Sequence, residues 1–176
     1  MTVSTNEWDW LGPGVYFWEQ NPARALEYAI DSANNKQKNR VPIKIPFVLG
    51  AIIELGNCLN LLEPASINIV KKAHDSLLQV AKKSGEILPI NKGANRQLDC
   101  AVIQYLHEAN KKKDIQAYDT IRCAFLEGNE IYPHSNFTDR LHIEICVLNP
   151  DLIKGYFLPR PIEDYNPYLK KDFVKP

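Results

Sequence analysis

Leu141-His142-Ile143-Glu144-Ile145-Cys146-Val147-Leu148 is the stretch from which the fold is read outward. Leu141, Ile143, Ile145 and Val147 alternate with His142, Glu144 and Cys146, the period of a β-strand with one apolar face. The apolar set is expected to face a core, and the other face presents a carboxylate in mid-strand. Burying an unpaired glutamate is costly, so Glu144 should either reach solvent in a cleft or hold a hydrogen-bonding partner. An exposed face of an edge strand fits the same pattern. Two neighbouring stretches, Thr120 to Phe125 and Ile153 to Leu158, also read as strands, with Asn149-Pro150-Asp151 as the turn that joins the last pair.

Upstream lies a helical stretch of about 64–110. From Pro64 onwards Ile67, Val70, Ala73, Leu77, Leu78 and Ala81 fall on one side of a helix that Gly85 stops. A second helix carries Leu98, Ala101, Val102, Tyr105, Leu106 and Ala109 and ends in Lys111-Lys112-Lys113, cations that complement a helix C-terminus. Lys71, Lys72, Lys82 and Lys83 share one stripe, which reads as a solvated face. Phe47 to Leu55 is an apolar run that reads as a buried strand ended by Gly56-Asn57, preceded by a polar, proline-punctuated loop over 34–46. The first elements are a Gly12-Pro13-Gly14 turn, a short strand Val15 to Trp18, and a helix capped by Asn21-Pro22. Ala25, Ala29 and Ala33 recur in that helix beside Leu26, Tyr28 and Ile30. The Pro-rich tail, about 159–176, is expected to be extended.

With 176 residues, an apolar fraction of 45% and a charged fraction of 24%, the chain has the size and composition of a single α+β domain able to bury a core without disulfides or metals. Its 21 basic residues balance its 21 acidic ones, so no net field draws it to nucleic acid or to a membrane. The first residues show no basic region followed by an apolar stretch, and no run has the length of a membrane span, which makes the cytoplasm the expected compartment. Cys58, Cys100, Cys123 and Cys146 lie far apart without a Cys-x-x-Cys pair, so four reduced, largely buried thiols are expected and no metal site.

Four blocks, taken in order, carry a resemblance. Gly12-Pro13-Gly14-Val15-Tyr16-Phe17, followed by a helix with Ala25 and Tyr28-Ala29, resembles the Gly-x-Gly-Ile-Tyr-Phe strand and tyrosine-bearing helix of the ADP-ribosyltransferases, in the poly(ADP-ribose) polymerase and diphtheria-toxin class. Ile52-Ile53-Glu54-Leu55-Gly56-Asn57 is similar to that family's next core strand, and Tyr118-Asp119-Thr120-Ile121 to its Asp-Ser-Val element. Glu144-Ile145-Cys146-Val147 resembles the strand that holds its catalytic glutamate. The resemblance covers most of the chain.

It implies an α+β fold of split antiparallel sheets around a cleft, with 64–110 as a helical insertion, and NAD as the substrate lying in that cleft. It further implies transfer of ADP-ribose to a macromolecule, protein or nucleic acid, with release of nicotinamide. Glu144 would be the catalytic residue. Gly14, Tyr16, Phe17 and Tyr28 would bind the cofactor, the two tyrosines flanking the nicotinamide ring. The chain departs from the family in three places, the first being the helical insertion over 64–110, which has no counterpart there. Eleven residues stand before Gly12 and none is His, so the family's opening His-Gly strand is not among them, and Arg24 or Ala25 stands where its serine is expected. The departure keeps a second expectation open: a catalytically silent module that binds NAD, ADP-ribose or a partner protein.

Overall fold

The computed structural model describes residues 3–34 and 43–169. Most of the polar loop over 34–46 and the last part of the tail lie outside the described residues. Within them the chain is mixed α+β, with β1 (Val15–Trp18), α1 (Pro22–Asn34), β2 (Gly50–Ile53), β3 (Cys58–Asn60), α2 (Pro64–Ser84), α3 (Gln97–Lys112), β4 (Thr120–Phe125), β5 (His142–Val147), β6 (Ile153–Phe157) and α4 (Ile162–Tyr165). These elements form two compact units. The first combines the stretch ending at Phe17 with Leu55–Phe125 and Ile143–Leu152, and the second combines Trp18–Glu54, Leu126–His142 and the stretch from Ile153.

The first unit is built on a four-stranded sheet in the order β1-β5-β4-β3. Strand β3 runs parallel to β4, with Cys58 opposite Thr120 and Asn60 opposite Arg122. An all-antiparallel sheet was expected, and the helical stretch explains the difference. Parallel neighbours need a long crossover, and α2 and α3 supply it. Helix α2 begins at Pro64, where a missing N–H costs nothing, and ends at Gly85 in the left-handed region (φ 75°), whose N–H donates to the carbonyl of Ala81. The core beneath the helices joins Leu11, Leu59, Ala73, Val102, Ile103, Leu106, Ile121, Phe125 and Cys146.

Lying between β1 and β4, strand β5 is buried on both faces rather than one. Ile145 and Val147 are buried as expected, but so are His142 and Cys146 from the set that was to face outward, and Cys146 belongs to the core. Just past its end, the N–H groups of Leu148 and Asn149 donate to the carbonyl of Asp119 at 2.9 and 3.1 Å, so the end of β5 lies beside the start of β4.

The second unit holds the antiparallel ribbon β2–β6, with Gly50 opposite Phe157 and Ile53 opposite Ile153. The turn expected between the last two strands is present, as a 3-10 turn at Pro150–Leu152 that joins β5 to β6, and β6 goes on to pair with β2. Here two expectations are corrected. The apolar run from Phe47 is not buried as a whole. Val48 is buried while Phe47, Leu49 and Ile52 are exposed, because a two-stranded ribbon has no neighbouring strands to enclose it. The tail is not wholly extended either, since α4 forms one helical turn in it. Directly after α4, buried Asn166 accepts the N–H of Val48 at 2.6 Å and donates to the same residue's carbonyl at 3.1 Å. Helix α1 starts as its sequence requires, with the side chain of Asn21 accepting the N–H of Arg24 at 3.1 Å.

Candidate functional site

Strands β1 and β5 are neighbours, and two contacts fix how their side chains line up. Gly14 packs against the Sγ of Cys146, and the ring of Trp18 lies 6.4 Å from that of His142. Strand alternation between those contacts places Tyr16 beside Glu144 on one face of the sheet. Two of the expected site residues are thus brought together. Phe17 points to the opposite face by the same alternation, and it is half-buried.

The local chemistry of Tyr16 is more constrained than the sequence suggests. Its hydroxyl donates to the carbonyl of Gly12 at 2.7 Å and accepts the N–H of Leu11 at 3.1 Å, and its ring packs against the core. Burial pushes its pKa far up, so the phenol stays protonated. Gly14 has an equally local reason to be glycine. A Cβ there would collide with Cys146 Sγ and stand 3.0 Å from the carbonyl of Val147. The bare backbone therefore serves the close approach of β1 to β5.

Glu144 is half-buried, two residues before Cys146 on the same face. Its charge is felt by both nearby thiols. Burial first, and Glu144 after it, push the thiol of Cys123 up, while burial pushes that of Cys146 up to about 12 with Asp9 and Glu144 adding to the effect. Both are therefore neutral, poorly nucleophilic thiols at neutral pH.

At the other end of β5, Asp119 joins three segments of the first unit. Its carboxylate accepts the N–H of Asn57 at 2.8 Å and the side-chain amide of Asn149 at 3.1 Å, and its own N–H donates to the carbonyl of Asn57 at 2.9 Å. These bonds, the one from Asn57 foremost, hold the Asp119 carboxyl below its ordinary pKa. Beside it, Thr120 donates its hydroxyl to the carbonyl of Leu55 at 2.6 Å. The Tyr118-Asp119-Thr120 block is thus a clamp on the strand ends.

Tyr28 belongs to the second unit. Its ring is half-exposed and lies 4.9 Å from that of Trp18 at an interplanar angle of 44°. Near the start of the same helix, Arg24 is 8% exposed and donates to Glu127 at 2.7 Å and to Glu27 at 3.2 Å. Arg140 extends the network to Glu27 at 2.9 Å and Asp31 at 3.3 Å. Among the described residues, neither the Nε of Arg24 nor the indole N–H of Trp18 has a hydrogen-bond partner. Sequence reading named both residues and gave neither a role. The available signal was the arginine one turn before Tyr28, in the place where the resemblance calls for serine.

No group of three or more His, Cys, Asp or Glu among the described residues could hold a metal ion, and no helix among them is long and apolar enough to cross a membrane. No family model matches the chain, and comparison with curated proteins and with solved structures found no match.

Proposed function

We propose that this chain carries an ADP-ribosyltransferase-type site, which takes NAD as substrate, releases nicotinamide and passes ADP-ribose to a macromolecular acceptor, protein or nucleic acid. The observation that carries this reading is the placement of Tyr16 beside Glu144 on adjacent strands β1 and β5. Each lies in a block that resembles the family's, and the blocks occur in the family's order. In this reading the fold is a variant of the split-sheet type in which a helical crossover has been built into one sheet.

The chemistry asks for a carboxylate held in place. As the bond from ribose to nicotinamide breaks, positive charge develops on the sugar, and a fixed anion favours that state over the bound substrate. Glu144, half-buried on an interior strand, has the restraint this role needs. Tyr16 contributes position rather than proton transfer, since its hydroxyl is already engaged. The test is calorimetric titration of the purified chain with NAD together with an assay of nicotinamide release. Absence of NAD binding would remove the proposal.

The same geometry favours a second reading at one point. The hydroxyl of Tyr16 and the backbone of Gly14 are both consumed by packing inside the unit, as they would be in a catalytically silent module that binds NAD, ADP-ribose or a partner protein. Saturable NAD binding without nicotinamide release would decide for it.

A further inference from the structure

The first unit contains a cavity of about 410 Å³, within the size range of small-molecule sites, and neither reading of Glu144 makes use of it. Its buried floor is Leu11, Val102, Ile103 and Phe125, and Leu61, Val70 and Leu98 extend the apolar lining. One wall is the indole of Trp10, which is held on three sides. Its Nε1 donates to the carbonyl of Ala94 at 3.1 Å, the ring meets Phe125 at 4.7 Å, and the Arg96 guanidinium sits 5.0 Å above it. An aromatic wall fixed before binding loses little freedom when a ligand stacks on it.

Polar groups gather at the rim. Lys71 and His74 come from successive turns of α2, and Asp99 comes from the first turn of α3. The Asp99 carboxylate is already occupied, accepting Arg96 Nε and Asn91 Nδ2, each at 2.8 Å. His74 approaches Asp75 at 3.4 Å. Lys71 is exposed, and among the described residues it forms no ion pair of its own. The uncompensated charge of the lining is therefore a cation, at the open end of an apolar slot. The Cys123 thiol, which also lines the cavity, is disfavoured as an anion by burial and then by the fields of Glu144 and Asp99.

We infer that this cavity is a binding site for a small aromatic carboxylic acid, its ring against Trp10 and Phe125 and its carboxylate at the rim beside Lys71. The site goes beyond the proposed NAD chemistry and does not depend on it.

The probes are naphthoate, its uncharged amide naphthamide, and the cation naphthylmethylammonium, each titrated by calorimetry and by the NMR shift of the Trp10 indole N–H. Naphthoate is expected to saturate one site, shift the Trp10 signal and bind most tightly of the three. Lys71→Glu, an exposed change that leaves the core intact, should weaken naphthoate by roughly fivefold or more and leave naphthamide unchanged, as expected when one rim charge is reversed. Val70→Trp, which fills the slot from α2, should abolish binding of both, with circular dichroism confirming that the variant is folded. If naphthoate does not saturate, if it binds without moving Trp10, or if Lys71→Glu leaves its affinity unaltered, the inference is overturned.

Discussion

The phenol of Tyr16 reaches four residues back and donates to the carbonyl of Gly12 at 2.7 Å while accepting the N–H of Leu11 at 3.1 Å. One side chain thereby fixes the turn that launches β1. Tyr16→Phe keeps the ring and leaves both backbone groups without this partner, and the buried position of Leu11 limits their access to water. The expected loss is about 1–3 kcal/mol in stability, read from urea unfolding. A loss under a few tenths would show that the turn holds itself.

Gly14 and Cys146 are expected to be coupled. Gly14→Ala should destabilise by about 1–3 kcal/mol, because the new methyl meets a buried sulfur in a close-packed region. In Cys146→Ala the obstacle is gone, so Gly14→Ala added to that background should cost less by roughly 1 kcal/mol or more. A double-mutant cycle of urea midpoints measures the difference. Additive effects would mean that the carbonyl of Val147, not the thiol, sets the limit.

Asn166 closes a pair of hydrogen bonds around Val48, and both residues are buried. Asn166→Ala would orphan a donor and an acceptor together, with an expected cost of about 2–4 kcal/mol. Amide hydrogen exchange at Val48 should accelerate in the variant in step with that loss. Unchanged exchange there would mean that another group takes over both bonds.

Asp119 makes part of the stability depend on pH. Its folded carboxyl titrates below the ordinary 3.8, chiefly because it accepts the N–H of Asn57 and then the amide of Asn149. The ionised form is thus the stabilising one. Its contribution is present above the unfolded pKa and disappears as pH falls through the lower, folded pKa. Urea midpoints measured from about pH 6 down to about pH 2 should fall for the natural chain, and Asp119→Asn should be weaker at neutral pH with a shallower acid limb. Parallel curves for the two proteins would remove Asp119 as the source.

Glu144→Gln separates reaction from binding. It keeps size and hydrogen-bonding capacity while removing the charge, so nicotinamide release should slow by an amount equivalent to about 2–4 kcal/mol in the barrier with NAD affinity little changed. Equal rates with Gln at 144 would end the catalytic assignment of this residue.

How much of this could be read in the sequence follows from the range of the interactions. The limits of β4 and the existence of β1, α2 and α3 were legible because periodicity and capping are local, as Pro64 and Gly85 illustrate at the two ends of α2. Partnerships were not. The Asn149-Pro150-Asp151 turn was legible from its own residues, yet the ties of Leu148 and Asn149 to Asp119 and the pairing of β6 with β2 are decided by segments far away in sequence. Burial of Arg24 was hidden for the same reason, its partner Glu127 lying 103 residues further on. At the site, the alternation around Glu144 was legible. The engagement of the Tyr16 hydroxyl was not, since a tyrosine beside glycines reads the same whether its hydroxyl points outward or back to the turn.

The weaving of the two units carries a consequence for biosynthesis. The chain passes from one unit to the other at 17/18, 54/55, 125/126, 142/143 and 152/153, so neither unit is contiguous. A nascent chain that has released residues up to Phe125 already carries both α2 and α3 but lacks β5, the strand that lies between β1 and β4. Until that strand emerges, the apolar floor made by Leu59, Ile121 and Phe125 lacks Cys146. During that interval half-built sheet edges and apolar surface are open to chaperones or to self-association.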